Sequence, residues 1–315
     1  MSYRTISHAS LAGLMALALT ACGQTADAPA AGGAAPANES VAGTTSPAIT
    51  TAPAETIDAR SSEAFASLVA DFEAFELANN PDERGRRGDL EAAGQWPDIS
   101  PEALATQFAA EAGFLERLDA INAEDLSASD QVSHAVLDYI LRFRTEFAPF
   151  DQARIAFDSD SGFFFWPSYA AASARPRTIA EGEAWIARIN GIAGYFQQNI
   201  DWMQRGLDTG FTQPRIIAES AADQAILIEP IDNLPTSLPA AERARLYAGA
   251  TAAIENSAQP AYAGLASFLR DEYAPQTRTS LGISEAPEGR AYYQTLVRYH
   301  TTLDTSPEEV HERGL

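Results

Sequence analysis

The sequence predicts an all-α fold, a multi-helix array of long antiparallel helices. From about residue 59 onward, apolar residues recur at spacings of three and four, the period of a helix with one buried face. Helix-start signals precede several of these runs: Ser-Pro-Glu at 100–102, Thr-Ile-Ala-Glu at 178–181 and Ser-Pro-Glu-Glu at 306–309. No stretch sustains the period of two that a half-buried strand requires.

Taken in order, Phe65, Leu68, Val69, Phe72 and Phe75 define the first helix, with Ser61 and Ser62 as candidate N-caps. Residues 79–88 read as a loop. Ser100-Pro101-Glu102 opens a second helix with Leu104, Phe108, Leu115, Leu118 and Ile121 on one face. Ser127 or Ser129 opens a third, carrying Val132, Val136, Leu137, Ile140, Leu141 and Phe147. The capping box from Thr178 to Glu181 starts the longest helix, which holds Trp185, Ile189, Ile192, Phe196, Ile200, Met203 and Leu207 and stops near Gly210. Gly191 and Gly194 allow it to bend or to cross a neighbour closely. Further helices are expected over 214–228, 240–257 and 261–273, with Pro260 separating or kinking the last two. Glu288 to His300 reads as a helix after Pro287. Ser306 as N-cap, Pro307 at the first helical position and Glu309 completing a capping box then start another.

Residues 158–169 break this pattern. Four consecutive aromatic residues, Phe163 to Trp166, cannot all face one way. The segment is either extended, with alternate rings in the core, or the aromatic wall of a substrate groove flanked by Asp158 and Asp160.

Ahead of the helices, residues 1–21 form a targeting segment. Arg4 and His8 give a short polar start, and Leu11 to Leu19 is an apolar run too short to span a bilayer. It ends in Leu19-Thr20-Ala21-Cys22, which resembles the bacterial lipobox, in which the cysteine is lipidated. Gly23 follows it, implying an outer-membrane anchor facing the periplasm. Residues 22–57 are almost all Ala, Gly, Pro, Ser and Thr and cannot bury enough apolar surface to offset the entropy of ordering. They read as a tether reaching roughly 30 Å. The helical domain is therefore 58–315.

Net charge is −22 and every basic residue is arginine. No basic face is available for phosphates, so nucleic acid is excluded as a partner. Cys22 is the single cysteine, which rules out an internal disulfide and a cysteine-based zinc site. No Gly-x-Ser-x-Gly elbow, glycine-rich phosphate loop or His-Glu-x-x-His is present; after His311-Glu312, position 315 is leucine where a second ligand would stand. His134 reads as a hydrogen-bonded structural histidine.

The densest run of aromatic, hydroxyl and ionisable residues lies at 282–315. In the helix from Glu288, Tyr293, Leu296, Val297 and His300 share one face, and Tyr292, Thr295 and Tyr299 another. His311 follows in the last helix. On residues alone this is a pair of capped helices whose histidines sit in the core. An ordered series adds to that reading: Gln259-Pro-Ala-Tyr262, Phe268-Leu269, Tyr273-Ala-Pro275, Gly282, Pro287, Gly289, Tyr293, Tyr299-His-Thr-Thr302 and Ser306-Pro-Glu-Glu-Val-His311-Glu-Arg-Gly-Leu315. With Trp96-Pro-Asp-Ile-Ser100 and the long helix from Thr178, it resembles the bacterial family catalogued as domain of unknown function 885, over roughly 58–315.

The resemblance implies an all-helical, zinc-dependent peptidase in which a metal-activated water attacks a peptide carbonyl and a glutamate acts as general base. It also implies a His-Glu-x-x-Pro-Gly-His motif in a later half of the chain. None of that motif lies in this sequence, so the chain is expected to be the N-terminal portion of a longer protein, without catalytic residues, metal ligands or cofactor of its own. Tyr293, Tyr299, His300 and His311 are the candidate substrate-side residues, facing a peptide or the metal-bearing half. The alternative from another class is a non-catalytic helical lipoprotein that binds peptides or an envelope partner.

Overall fold

The computed structural model describes residues 58–222 and 234–315. The targeting segment, Cys22, the tether and the end of the helix expected over 214–228 lie outside the described residues. Among these residues the secondary structure is helical, with one isolated bridge between Phe157 and Gly162. The all-α expectation holds.

Two layers make up the fold. The first contains α1 (Ala59–Ala78), α4 (Pro101–Asp119) and α5 (Ala128–Phe147), which close around Phe65, Leu68, Phe72, Leu118, Leu126, Leu137 and Leu141. Asp58, not Ser61 or Ser62, caps α1, accepting from the Arg60 amide. Ser127 caps α5, accepting from Asp130. Val132 and Val136 were expected on the buried face of α5 but are 65% and 44% exposed. The expected loop at 79–88 contains a helix, α2 (Pro81–Arg86), followed by α3 (Leu90–Ala93). The local signal was there: Asn80 caps, Pro81 sits in the first turn and Asp82 and Glu83 favour the positive end of the helix dipole.

The second layer contains α6 (Trp166–Ser173), α7 (Ile179–Asn190), α8 (Ile192–Thr209), α9 (Arg215–Ala222) and a continuous helical run from Ala240 to Gln276. Its core includes Phe157, Phe163, Trp185, Ile189, Phe196, Met203, Leu269 and Tyr273. The Thr178–Glu181 capping box forms as expected. The long helix breaks between α7 and α8 at Gly191. A Cβ there would come within 3.1 Å of the Trp96 indole, whose N–H donates to the Arg188 carbonyl. Trp96 also stacks on Tyr195 at 5.1 Å, and Trp202 donates to the Ile99 carbonyl. The 96–100 segment thus laces the first layer to α8, which ends at Gly210 in a left-handed conformation.

Pro260 neither separates nor ends its helix. The run is α10 (Ala240–Ala253), a π-helical segment (Ile254–Ala258), α11 (Gln259–Ser267), a second π-helical segment (Phe268–Tyr273) and α12 (Ala274–Gln276). A proline in an α-helix lacks one hydrogen bond and presses its ring on the carbonyl four residues back. Here the chain widens just before each proline. The Gln259 amide bonds to Ile254 ahead of Pro260, and the Ala274 amide to Leu269 ahead of Pro275. Both prolines pass without a break.

The aromatic run is not an extended segment with alternate rings inward. Phe163, Phe164 and Phe165 form a 3-10 turn that buries the first two consecutively. Trp166, 43% exposed, then starts α6. Asp158 is occupied locally, accepting from the Asp160 and Ser161 amides.

Candidate functional site

The last two helices are α13 (Gly289–Thr301) and α14 (Pro307–Gly314). Glu288 precedes α13 in a left-handed conformation with φ 60°. Gly289 allows the tight entry, because a Cβ there would collide with the Ile283 carbonyl. The buried Arg154 supports this corner: it lies 3.5 Å from the Glu288 carboxylate, donates to the Thr209 hydroxyl and Phe150 carbonyl, and stands 4.4 Å from the centre of the Phe211 ring.

One side of α13 is locked to α5 by an aromatic seam. Tyr299 meets Tyr139, Phe143 and Phe147 at ring separations of 5.9, 5.1 and 5.7 Å, and Tyr292 meets Phe147, Phe150 and Phe211. The Tyr139 hydroxyl donates to the Tyr299 carbonyl, and Arg298 pairs with Glu146. Burial raises the Tyr139 pKa, with the Tyr299 phenol adding to it, so this donor stays protonated. Tyr139→Phe should lower stability by about 1 kcal/mol through loss of that bond. Urea unfolding measures it, and an unchanged midpoint would contradict the role given to the hydroxyl.

The opposite side of α13 faces out. Tyr293 is 42% exposed, and His300, seven residues on, shares its direction and is exposed. His300 packs its ring edge-on against Tyr299 at 5.0 Å. The turn to α14 is fixed by Gln294 donating to the Thr305 carbonyl, and by the Ser306–Glu309 capping box formed as the sequence indicates. Hydrogen bonds from the Ser306 amide and the Thr305 and Ser306 hydroxyls hold the Glu309 carboxylate below its usual pKa. His311 is exposed on α14, as are Leu303 and Val310.

Of the four candidate residues, the structure brings Tyr293 and His300 to one outward face. It sets Tyr299 in the seam beneath them and places His311 on the following helix. Neither His300 nor His311 is a buried core residue.

Among the described residues, no group of three or more His, Cys, Asp or Glu side chains could hold a metal ion. One feature lies within the aromatic segment that the sequence singled out, and a second escaped the sequence reading. Trp166 and Tyr169 form an exposed edge-on pair, their ring centres 5.8 Å apart. Arg144, Glu76 and Glu111 meet inside the first layer. The signal for the second was present: Glu111 continues the apolar stripe of Leu104, Phe108, Leu115 and Leu118, and Arg144 that of Leu137 and Leu141.

Fold and site define a helical protein whose C-terminal helix pair is anchored on one side and presents apolar and imidazole groups on the other. The chain belongs to the family described as bacterial protein of unknown function (DUF885), whose model matches residues 81–315. A crystal structure titled as a putative lipoprotein from Colwellia psychrerythraea is similar in fold, with a TM-score of 0.61 and 13% identity. The match covers 80% of this chain and 48% of that one, so this chain spans about half the length of its structural neighbour. No curated protein matches the chain.

Proposed function

We propose that the chain is the N-terminal helical portion of a cell-envelope lipoprotein of zinc-peptidase type, and that α13 and α14 form one side of a peptide-binding groove. The observation that carries this reading is the outward side of α13, where Tyr293 and His300 are exposed on a helix locked from behind by the α5 seam, with Leu303 exposed in the following turn and Val310 on α14. Exposed apolar groups interleaved with donors suit a peptide, whose side chains are apolar and whose backbone needs polar partners. The family resemblance, and the structural neighbour of which this chain covers 48%, support a further portion that would bring the metal and the general base. In the complete protein Tyr293 and His300 would contact substrate directly, Tyr299 would hold them in place, and His311 would face the metal-bearing half. Cys22 would carry the lipid that anchors the protein in the outer membrane, facing the periplasm.

The 315-residue chain alone should take up no stoichiometric zinc and cleave no peptide, while the gene read past codon 315 should encode His-Glu-x-x-Pro-Gly-His. Zinc bound one-to-one by this chain, or a stop codon at that point, would sink the peptidase reading. The stop codon would leave a non-catalytic lipoprotein that binds peptides or an envelope partner. The anchor is tested separately: Cys22→Ala should release the protein from the membrane fraction, and unchanged attachment refutes it.

A further inference from the structure

The first layer encloses two carboxylates and one guanidinium. Arg144 of α5 is 9% exposed and donates to both carboxylate oxygens of Glu76 on α1, at 2.7 and 3.1 Å. Its Nη1 is shared with Oε1 of Glu111 on α4, at 2.9 Å. Glu111 is 3% exposed, and its Oε2 is buried with no hydrogen-bond partner. Phe72, Phe75 and Phe114 pack on one another nearby, and Arg144 lies 5.7 Å from the Phe72 ring centre. Glu76 and Arg144 are the charged groups that act on Glu111 from the neighbouring helices. Arg117, on the same helix, is turned to Asp71 at the surface, and His134 of α5 packs against Phe65.

With both acids ionised this pocket carries one excess negative charge in a low-dielectric interior, which is costly. A single proton removes it. Glu76 takes the guanidinium fork, and Glu111 is the deeper and less solvated acid, so the proton belongs on Glu111. Desolvation raises its pKa; Arg144 opposes this, Glu76 adds to it, and the net direction is upward. Glu111 and Leu118 are the buried residues of the helix that carries it, and Phe114 and Leu115 pack partly buried beside them, so the acid sits inside the contact between α4 and its neighbours.

We propose that the buried cluster holds one proton on Glu111 and that its ionisation is a built-in trigger that loosens α4 from α1 and α5. Once ionised, Glu111 competes with Glu76 for one Nη1. The competition is relieved by Glu111 moving to water, and α4 moves with it.

The linkage has a definite sign. An unfolded glutamate releases its proton near the ordinary value of 4.5, and the folded one releases it higher. Between the two values the folded state holds one more proton, so stability falls as pH rises. The unfolding constant should then climb by up to about tenfold per pH unit. Below 4.5 this contribution is fully present, and above the folded value the loss is constant.

Two measurements on the full chain test it. Infrared difference spectra against Glu111→Gln, taken across pH, should show a protonated-carboxyl band in the wild type that persists to higher pH than that of an ordinary glutamate. Urea unfolding across pH should show the window in the wild type and not in Glu111→Gln. If Glu111→Gln does not fold, Glu76→Gln replaces it. That variant gives Glu111 sole use of the guanidinium, so the protonated band should be lost at lower pH than in the wild type. A wild-type band lost in the ordinary glutamate range, the same pH slope in Glu111→Gln, or a band that persists equally far in Glu76→Gln overturns the proposal.

Discussion

Gly289→Ala should destabilise the chain by about 3 kcal/mol or more and undo the C-terminal corner. The added Cβ would collide with a backbone carbonyl, that of Ile283, and not with a side chain that could swing aside. Overpacking against well-fixed atoms costs about 1–3 kcal/mol, and more where nothing can yield. Relief would require the 3-10 turn Ile283–Glu285 to shift, and with it Glu288, the acid beside the buried Arg154. The midpoint of urea unfolding reads the loss, and fluorescence of the Tyr292–Tyr299 side reports whether the seam opens with it. A variant within about 0.5 kcal/mol of wild type, the size of an ordinary surface change, would show that the corner can relax and does not set the position of α13.

Arg144→Met should cost about 3–5 kcal/mol at neutral pH, because it leaves Glu76 in a site with 12% side-chain exposure and Glu111 with neither a cation nor a full set of donors. The loss should shrink under acid conditions, where protonation removes the uncompensated charge. The triple change Glu76→Leu, Glu111→Leu, Arg144→Met should by contrast be close to neutral, since apolar groups of similar volume need no partners. Chemical unfolding of the single and triple variants at two pH values decides the matter. A triple variant as unstable as the single one would mean that shape, and not charge, dominates this part of the core.

How far the sequence could be read depended on whether the signal was local. The Ser306–Glu309 and Thr178–Glu181 capping boxes and the Ser127 cap are set by residues three apart, and all three formed as expected. Family membership was legible from the ordered motifs of 259–315. Pro260 misled because the rule for a proline in an α-helix assumes α geometry on both sides, and the chain uses a wider turn instead. The aromatic run misled because consecutive rings can both be buried in a 3-10 turn, where successive side chains are not on opposite faces. At the candidate site, the two faces of α13 could be assigned by period. Which of them met α5 could not, because that depends on Tyr139, Phe143 and Phe147, some 150 residues earlier in the chain. The exposure of Val132 and Val136 was hidden for the same reason, since helical period shows that two residues share a side without showing what covers it.

The two wide turns in the run from Ala240 to Gln276 have a rotational consequence. Each residue of an α-helix turns the direction of its side chain by about 100°, so a residue absorbed in a wider turn resets the azimuth of everything after it. The run is one rod aimed three ways in succession: α10 packs on α7, α11 on α8, and the second π segment with α12 on α9. A regular α-helix of the same sequence would present different residues to these neighbours along the second half of its length. Removing one residue from the first wide turn would swing the remainder, including Phe268, Leu269 and Tyr273, out of phase with the partners it now meets.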